Sequence, residues 1–344
     1  MTCEDIPYHI DYSPLQELRG ASLVVLQVPD GLRAYTRCLL ERVRRETGAR
    51  VIVDADPTYG ACDLHYPRLH SILGADAIVH VAHTPYPPDL SWPRVEPEGP
   101  PRIVYLQARS KAEPPIEAVR EAARILRSHG PGRVALTATG QHVHILPGIS
   151  ETLRGEGLDV VIPRGVPPYF EDGQVIGCDY RVARSVEADA HLIVAGGLFH
   201  PLGLYLATLK PVVQLDPYRG EAADRTGMFE KVYSARLYKV SRAIDARRWG
   251  VVVGLKTGQY RPWLVERLSR LIEERGGEYT LYAAESLNEE RMRAIDTPEI
   301  DAWIVTSCPR IPLDDLHHYE KPVLTPGEAR MALSGSLTPY IFPW

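Results

Sequence analysis

The sequence predicts an α/β protein of three related domains, each a roughly four-stranded parallel sheet flanked by helices, arranged with pseudo-threefold symmetry. Three short segments share one pattern: an acidic residue with alanine, an apolar run and a loop. Their aspartates, Asp76, Asp189 and Asp301, lie 113 (189 − 76) and 112 (301 − 189) residues apart. Self-similarity at a fixed interval is the signature of a repeated structural unit.

A second series of apolar, β-rich runs keeps step with the first. Each run ends at a polar loop, marked by Gln27, Gln141 or Gln259, at intervals of 114 (141 − 27) and 118 (259 − 141) residues. Helix-like stretches follow these runs. The clearest, 262–276, has a proline in its first turn, apolar residues at helical spacing and a glycine at its end. Alternating strands and helices predict parallel sheets with right-handed crossovers.

Two further apolar runs complete each unit, and we expect the domains to span 1–110, 111–225 and 226–344. The length agrees with this division, since a single core rarely extends beyond about 250 to 300 residues and the chain has 344. The proline-rich stretch 84–101 precedes the last strand of the first unit. Because proline is excluded from helix interiors and central strands, we predict a surface loop without a function of its own.

The composition is that of a globular protein, with 44% apolar and 24% charged residues. A net charge of −5 argues against a broad face for nucleic acid, which needs clustered basic residues. No apolar run approaches the roughly 18 residues that span a bilayer, and the N-terminus carries acids where a signal peptide is basic. We therefore expect a cytoplasmic protein that contacts neither membrane nor nucleic acid directly.

The most informative candidates for a site are three cysteines, one in each unit. Cys62, Cys178 and Cys308 all follow strands, at the sheet edge where open α/β proteins bind ligands. If the units surround a common axis, the three thiols converge. Three thiolates can hold zinc, with water or a fourth ligand, or a [4Fe–4S] cluster with one open iron. The alternative is that all three are ordinary core residues.

The other two cysteines, Cys3 and Cys38, are expected to be structural or incidental, and a disulfide framework is not expected. The Gly254–Gln259 turn lacks the spacing of a Walker phosphate loop. It can still present backbone N–H groups and an ammonium to a carboxylate. His142 and His144 have no carboxylate at ligand spacing and are interpreted as packing or surface residues.

Seven segments, taken in order, resemble the archaeal enzyme family that performs the first step of diphthamide biosynthesis. The resemblance extends from about residue 22 to about residue 330, and its most specific motifs surround Cys62 and Cys308. The segment around Cys178, VIGCDYR, is less distinctive. The seven segments are LQVPDGL, DPTYGACD, TGQHVH, GGLFHPLGL, GLKTGQ, WIVTSCPRIPLDD and KPVLTPGEA.

The resemblance implies a homodimer of three-domain chains with a [4Fe–4S] cluster held by Cys62, Cys178 and Cys308. It also implies transfer of the 3-amino-3-carboxypropyl group of S-adenosylmethionine to carbon 2 of a histidine of translation elongation factor 2, by a non-standard radical route. The amino acid end of S-adenosylmethionine needs fixed polar partners. Repeat-equivalent strand ends offer Gln214, Asp216, Lys256 and Gln259. No residue is assigned to the chemistry itself.

Two rival hypotheses remain at this point. A dehydratase similar to quinolinate synthase would build three α/β domains around a three-cysteine [4Fe–4S] cluster that acts as a Lewis acid. A non-catalytic subunit would carry a cluster or a zinc ion in support of another chain. The ordered set of loops favours the diphthamide family, and a cysteine in every repeat argues against a degenerate subunit.

Overall fold

The structure is a computed structural model that describes residues 3–90 and 99–344. Three main sheets form its frame. The first sheet grows from apolar runs that burial drives inward: Val24, Val25 and Leu26 of its central strand are fully buried. The elements of this part are β1 (Tyr8–Ile10), β2 (Leu23–Gln27), α1 (Thr36–Thr47), β3 (Arg50–Val53), α2 (Tyr66–Leu73), β4 (Ala77–Val81), β5 (Arg102–Leu106) and β6 (Ala108–Ser110). Strands β2 to β5 pair in parallel in the order β3-β2-β4-β5. Strands β1 and β6 form a separate antiparallel pair.

The second sheet repeats this order and adds two strands. Its elements are α3 (Ile116–Ser128), β7 (Val134–Thr139), α4 (Leu146–Gly155), β8 (Val160–Val161), β9 (Gln174–Val175), α5 (Arg181–Arg184), β10 (Ala190–Val194), α6 (Phe199–Thr208), β11 (Val212–Asp216) and β12 (Glu221–Asp224). The parallel order is β8-β7-β10-β11. Strand β12 is antiparallel to β11, and β9 pairs with the end of β7. The sequence did not predict these two additions because both are short and neither is an apolar run.

The third sheet has the same order again, β14-β13-β15-β16, and is parallel throughout. Its elements are α7 (Thr226–Ala243), β13 (Arg248–Gly254), α8 (Pro262–Glu274), β14 (Glu278–Ala284), α9 (Glu289–Ile295), β15 (Ala302–Val305), β16 (Val323–Leu324) and α10 (Pro326–Ser334). Helix α8 begins at the predicted proline and buries Leu264, Leu268 and Ile272. The predicted α/β class with three parallel sheets is confirmed.

Short helical turns connect several of these elements. They are Cys3–Asp5, Ser13–Leu18, Asp30–Tyr35, Pro88–Leu90, Gly140–Ile145 and, with π-helical geometry, Ile311–Asp315. The three sheets span residues 23–106, 134–224 and 248–324, and the domain boundaries at 110 and 225 stay predictions. No helix in the described ranges is long and apolar enough to cross a lipid bilayer.

The repeated aspartates tie β2 to β4, β7 to β10 and β13 to β15. Each side chain lies just before the second strand of its pair and accepts backbone N–H groups at the start of the first strand of that pair. These contacts lie at the end of the sheet opposite the strand carboxyl ends. The donors are Ser22 and Leu23 to Asp76 (2.7 and 2.9 Å), Arg133 to Asp189 (2.9 Å), and Arg247 and Arg248 to Asp301 (2.9 and 2.8 Å). The strongest repeat in the sequence therefore has a structural cause.

We expect Asp301→Ala to lower the free energy of unfolding by about 1–2 kcal/mol, because two backbone N–H groups lose a charged acceptor. Urea unfolding of the purified protein measures the change. Asp301→Asn is the matched control, since it keeps one acceptor oxygen and should lose less. Equal losses for the two variants would contradict this role.

Candidate metal centre

The carboxyl ends of strands from all three sheets surround one cavity of about 580 Å³. Cys62, Cys178 and Cys308 all line it. They lie in the loops after β3, β9 and β15, so each thiol comes from a different sheet. The structure thus brings together side chains that are 116 (178 − 62) and 130 (308 − 178) residues apart in sequence. All three are free cysteines, whereas Cys38 in α1 is disulfide-bonded.

The three sulfurs are neighbours but do not form a compact single-ion site. Each thiolate raises the pKa of another, which marks them as electrostatic neighbours. They nevertheless do not all lie within 4.8 Å of one another, a spacing that only one group of three His, Cys, Asp or Glu ligands reaches within the described residues. Three thiolates on one tetrahedral zinc would lie about 3.8 Å apart, given Zn–S bonds of about 2.3 Å.

The group that does reach that spacing is Asp54, Asp56 and His65, and it lies outside the cavity lining. Its side chains already bind one another and their neighbours. The Asp54 carboxylate accepts from His65 Nδ1 at 2.6 Å, and Asp56 forms an ion pair with Arg68. This group is therefore explained by ion pairing without a metal.

Burial makes the three thiols weak acids. Loss of hydration, followed by repulsion from neighbouring negative groups, raises the pKa to about 12 for Cys62. Burial likewise raises the pKa of Cys178 to about 11 and that of Cys308 to about 12. The thiols are thus protonated at neutral pH, and a metal centre must displace three protons when it binds.

Each sulfur also faces one hydrogen-bond donor. Gln259 Nε2 donates to Cys62 Sγ at 3.6 Å. The Tyr86 hydroxyl lies 3.5 Å from Cys178 Sγ. The backbone N–H of Arg310 bonds Cys308 and lowers the pKa of its thiol against the larger effect of burial. Hydrogen bonds to sulfur stabilise thiolate ligands and tune an iron–sulfur centre, so the surroundings fit such a group.

The Arg261 guanidinium connects the loops that carry these thiols. Its exposed fraction is 1%, and its positive charge lowers the pKa of all three cysteines. Nη1 donates to the Thr306 and Ser307 carbonyls at 3.0 and 2.8 Å. Nη2 donates to the Gly258 carbonyl at 3.1 Å and to the Tyr86 hydroxyl at 3.0 Å.

These acceptors lie in or beside the loops that carry the cysteines. Ser307 precedes Cys308, and the Gly258 N–H donates to the Cys62 carbonyl at 2.8 Å. Because Arg261 donates to the Tyr86 oxygen, the phenol hydrogen is left for Cys178. The Trp344 ring lies 4.1 Å from the guanidinium, and its Nε1 donates to the Cys178 carbonyl at 3.1 Å. One buried cation thus positions all three loops.

The glycines of the Gly254–Gln259 turn are needed for close packing. A Cβ at Gly258 would lie 2.4 Å from Cys62 Cα, and a Cβ at Gly254 would lie 2.5 Å from Ser307 Cβ. Only glycine lets the turn touch two cysteine loops at once. The turn is therefore a contact between sheets.

Two of the four polar residues predicted from strand ends line the cavity. Lys256 pairs with Asp63 and lies 4.7 Å from the Tyr59 ring, and Gln259 bonds Cys62 as described. The structure places Gln214 and Asp216 elsewhere.

The polar atoms of Gln214 and Asp216 are used locally. Gln214 Nε2 donates to the carbonyls of Ala195 and Gly197 at 2.9 and 2.8 Å, and its Oε1 accepts from Arg225 at 2.8 Å. Asp216 Oδ1 accepts the backbone N–H groups of the turn that follows it. A position at a strand end predicts at which end of the sheet a residue lies, but it does not predict which side chains the residue contacts.

Sequence reasoning missed Tyr86, Arg261 and Trp344. Tyr86 belongs to the proline-rich stretch 84–101, which we expected to be a surface loop without function. Its described part does contain exposed residues, but Tyr86 itself is buried beside Cys178. Residues 91–98 lie outside the described residues. No local pattern marks these three side chains, because their partners are distant in sequence.

Comparison with known proteins agrees with this geometry. The sequence model of the diphthamide synthesis protein family matches residues 28–340. The chain belongs to this family. The chain is 34% identical to 2-(3-amino-3-carboxypropyl)histidine synthase of Pyrococcus horikoshii over 326 residues, 93% of this chain and 88% of that protein. It is 28% identical to subunit 1 of the Homo sapiens synthase, over 91% of this chain and 68% of that protein.

Two solved crystal structures are also similar to this chain. The crystal structure of Dph2 from Pyrococcus horikoshii with a 4Fe-4S cluster matches with a TM-score of 0.80 and 31% identity, over 98% of this chain and 93% of that chain. A second crystal structure of Dph2 from Pyrococcus horikoshii matches with a TM-score of 0.82 and 31% identity. The predicted family is confirmed.

Removal of the Arg261 guanidinium should destabilise the apo protein and its thiolates together. We expect Arg261→Met to lower the free energy of unfolding by at least about 3 kcal/mol, since the four acceptors named above and the Gln259 carbonyl lose a charged donor. The pH dependence of thiol alkylation should shift upward for the cavity cysteines. Arg261→Lys keeps the charge with fewer donors and should shift alkylation less. Identical alkylation profiles for the two variants would contradict the electrostatic role.

His65 gives a pH dependence to the stability of the protein. Burial opposes its protonation, but hydrogen bonds from its ring to Asp54 and Asp63 raise the pKa of His65 to about 9. The folded protein then keeps a proton that the unfolded chain releases above pH 6.5. Stability is therefore full below about pH 6.5 and falls as the pH rises through about 9.

We expect the free energy of unfolding of apo protein to fall by about 1–2 kcal/mol across that window, allowing for solvent screening. Urea unfolding at several pH values measures it. His65→Gln has no titrating ring and should lack this fall. The same slope in both proteins would contradict the assignment.

Proposed function

We propose that the protein transfers the 3-amino-3-carboxypropyl group of S-adenosylmethionine to carbon 2 of a histidine of translation elongation factor 2, with a [4Fe–4S] cluster held by Cys62, Cys178 and Cys308. The observation that carries the proposal is one free cysteine from each of three sheets at a single cavity. The 4Fe-4S cluster in the related Dph2 structure supports it. The proposal includes a homodimer as the working form, in a cytoplasmic setting.

The choice of chemistry follows from the substrate. Carbon 2 of imidazole is a poor nucleophile beside the two ring nitrogens, so ordinary alkylation would occur at nitrogen. A carbon radical avoids that competition. When bound, the cluster supplies the electron that cleaves the sulfonium, and ligation by three cysteines leaves one iron open for it.

The residues of this chain hold the reactants in place. The hydrogen bonds from Gln259, Tyr86 and Arg310 orient the three sulfurs. Lys256 is a cation of the cavity wall that can bind the carboxylate of S-adenosylmethionine. Lys256 forms an ion pair with Asp63, and the Asp63 carboxylate also pairs with His65. Because this network already holds the Lys256 side chain, the side chain loses little conformational freedom when a ligand binds.

The two rival hypotheses fare differently. Membership of the diphthamide synthesis family argues against a dehydratase similar to quinolinate synthase. Two observations speak against a non-catalytic subunit: every sulfur has a hydrogen-bond donor, and Arg261 joins all three loops.

The proposal is tested by anaerobic reconstitution with iron and sulfide, followed by dithionite, S-adenosylmethionine and elongation factor 2. We expect an iron–sulfur absorption spectrum, release of methylthioadenosine and the mass gain of one 3-amino-3-carboxypropyl group on the factor. Elongation factor 2 with its target histidine replaced is the control. A colourless protein that binds only zinc, or a loaded protein that never modifies the factor, would overturn the proposal.

Cysteine variants test the ligands one at a time. Cys62→Ala, Cys178→Ala and Cys308→Ala are each expected to lose the cluster's absorption and the transfer, because two thiolates hold it weakly. The apo proteins should keep near-normal unfolding curves, since each change removes one partly buried sulfur. A Cys178→Ala protein with a full absorption spectrum would remove Cys178 from the ligand set.

A further inference from the structure

A directional chain of hydrogen bonds runs behind the cavity and ends at His83 in its wall. It begins at Asp54, where burial raises the pKa but bonds from His65 and Gln27 outweigh it and hold the pKa at about 2. Asp54 is therefore an anion. Gln27 Nε2 donates to Asp54 Oδ2 at 3.0 Å, and Gln27 Oε1 faces His80 Nδ1 at 3.1 Å. His80 Nε2 lies 2.9 Å from His83 Nδ1.

The Asp54 charge sets the direction of every bond in this chain. An anion accepts only, so the Gln27 amide must turn its NH₂ toward Asp54 and its oxygen toward His80. His80 Nδ1 must then carry hydrogen. Burial holds the pKa of His80 well below its usual value, so the ring is neutral and Nε2 is a bare acceptor. His83 Nδ1 is consequently the donor of the last bond.

His83 is left with an unprotonated Nε2. Burial, which outweighs a hydrogen bond to the Val81 backbone, lowers the pKa of His83 to about 4, so its ring is neutral. With the hydrogen on Nδ1, Nε2 is the basic nitrogen of a ring that lines the cavity. No motif in the sequence marks this histidine.

The transfer reaction needs such an acceptor. One electron is added when the carbon–sulfur bond breaks: with one electron of that bond it neutralises the sulfonium, and the other bond electron stays on the carbon radical. After the radical adds to carbon 2, the ring adduct returns one electron to the donor and loses the carbon 2 hydrogen as a proton, so the imidazole becomes aromatic again. The reaction is therefore redox-neutral overall, and one proton must be accepted for each group transferred.

We propose that His83 Nε2 accepts the proton that leaves carbon 2 of the substrate imidazole, with Gln27 and His80 as positioning residues that fix its tautomer. The inference rests on the proposed function. His200 is the comparison, because it also lines the cavity and burial lowers its pKa to about 4. No hydrogen bond to another described residue fixes the tautomer of the His200 ring.

The first test uses the apo protein and does not depend on activity. Nitrogen-15 NMR of the histidine rings at pH 7, with His83→Asn to assign the signal, should show His83 as the neutral tautomer protonated at Nδ1. In Gln27→Met the signal should move toward a mixture of tautomers. A protonated His83, or hydrogen on Nε2, would overturn the proposal.

The second test uses reconstituted enzyme and elongation factor 2 deuterated at carbon 2 of its histidine. His83→Asn keeps a donor for His80 and lacks the basic nitrogen, so we expect cluster absorption to be retained and transfer to slow roughly 10²–10⁴-fold. A primary isotope effect should appear that the unmodified enzyme does not show, because proton loss becomes rate-limiting.

His200→Asn is the matched variant, and an isotope effect there in place of His83→Asn would overturn the assignment. Unchanged transfer by His83→Asn would do the same while leaving the proposed function intact. If the unmodified enzyme loads its cluster and transfers nothing, the proposed function itself has failed.

Discussion

The centre of this structure depends on the Arg261 guanidinium. Loops from the three sheets are joined there by one buried cation with a fork of donors. Its bonds reach the loops of Cys62 and Cys308 directly, and Tyr86 and Trp344 extend them to Cys178. A guanidinium suits this position because it stays charged and directs several donors at once, whereas an ammonium could satisfy fewer acceptors. The same charge favours the thiolate form of all three cysteines.

The two ends of the parallel strands have different roles. At the amino ends, Asp76, Asp189 and Asp301 repeat one structural contact in all three sheets. At the carboxyl ends, the loops have diverged: one supplies Cys62 and the Asp63–His65 pair, one Cys178, and one Cys308. The sequence repeat is therefore clear at the amino ends, where the same backbone contact occurs in all three sheets. It is weaker at the carboxyl ends, where each loop contributes different side chains to one cavity.

Behind the Cys62 loop, the buried charged groups neutralise one another in a continuous network of ion pairs. His65 is held between Asp54 and Asp63, and Asp63 also pairs with Lys256 of the third sheet. Asp63 and His65 thus lie behind the cavity and connect its wall to the first sheet. Buried charges of this kind are tolerable only when every one has a partner. The resulting network gives the cavity a cation, Lys256, and a neutral histidine, His83, on opposite ends of the same set of bonds.

The sequence by itself determined the α/β class, the three parallel sheets and the three cysteines, because buried strands need apolar runs and a repeated unit leaves a repeated pattern. It also determined the family, through motifs such as those around Cys62 and Cys308. Only the tertiary structure decided that Lys256 and Gln259 line the cavity while Gln214 and Asp216 bond locally. It alone brought in Tyr86, Arg261, Trp344 and His83. Those contacts join residues far apart in sequence, 175 positions for Arg261 with Tyr86 and 197 for Gln259 with Cys62, and no local periodicity records which loops will meet.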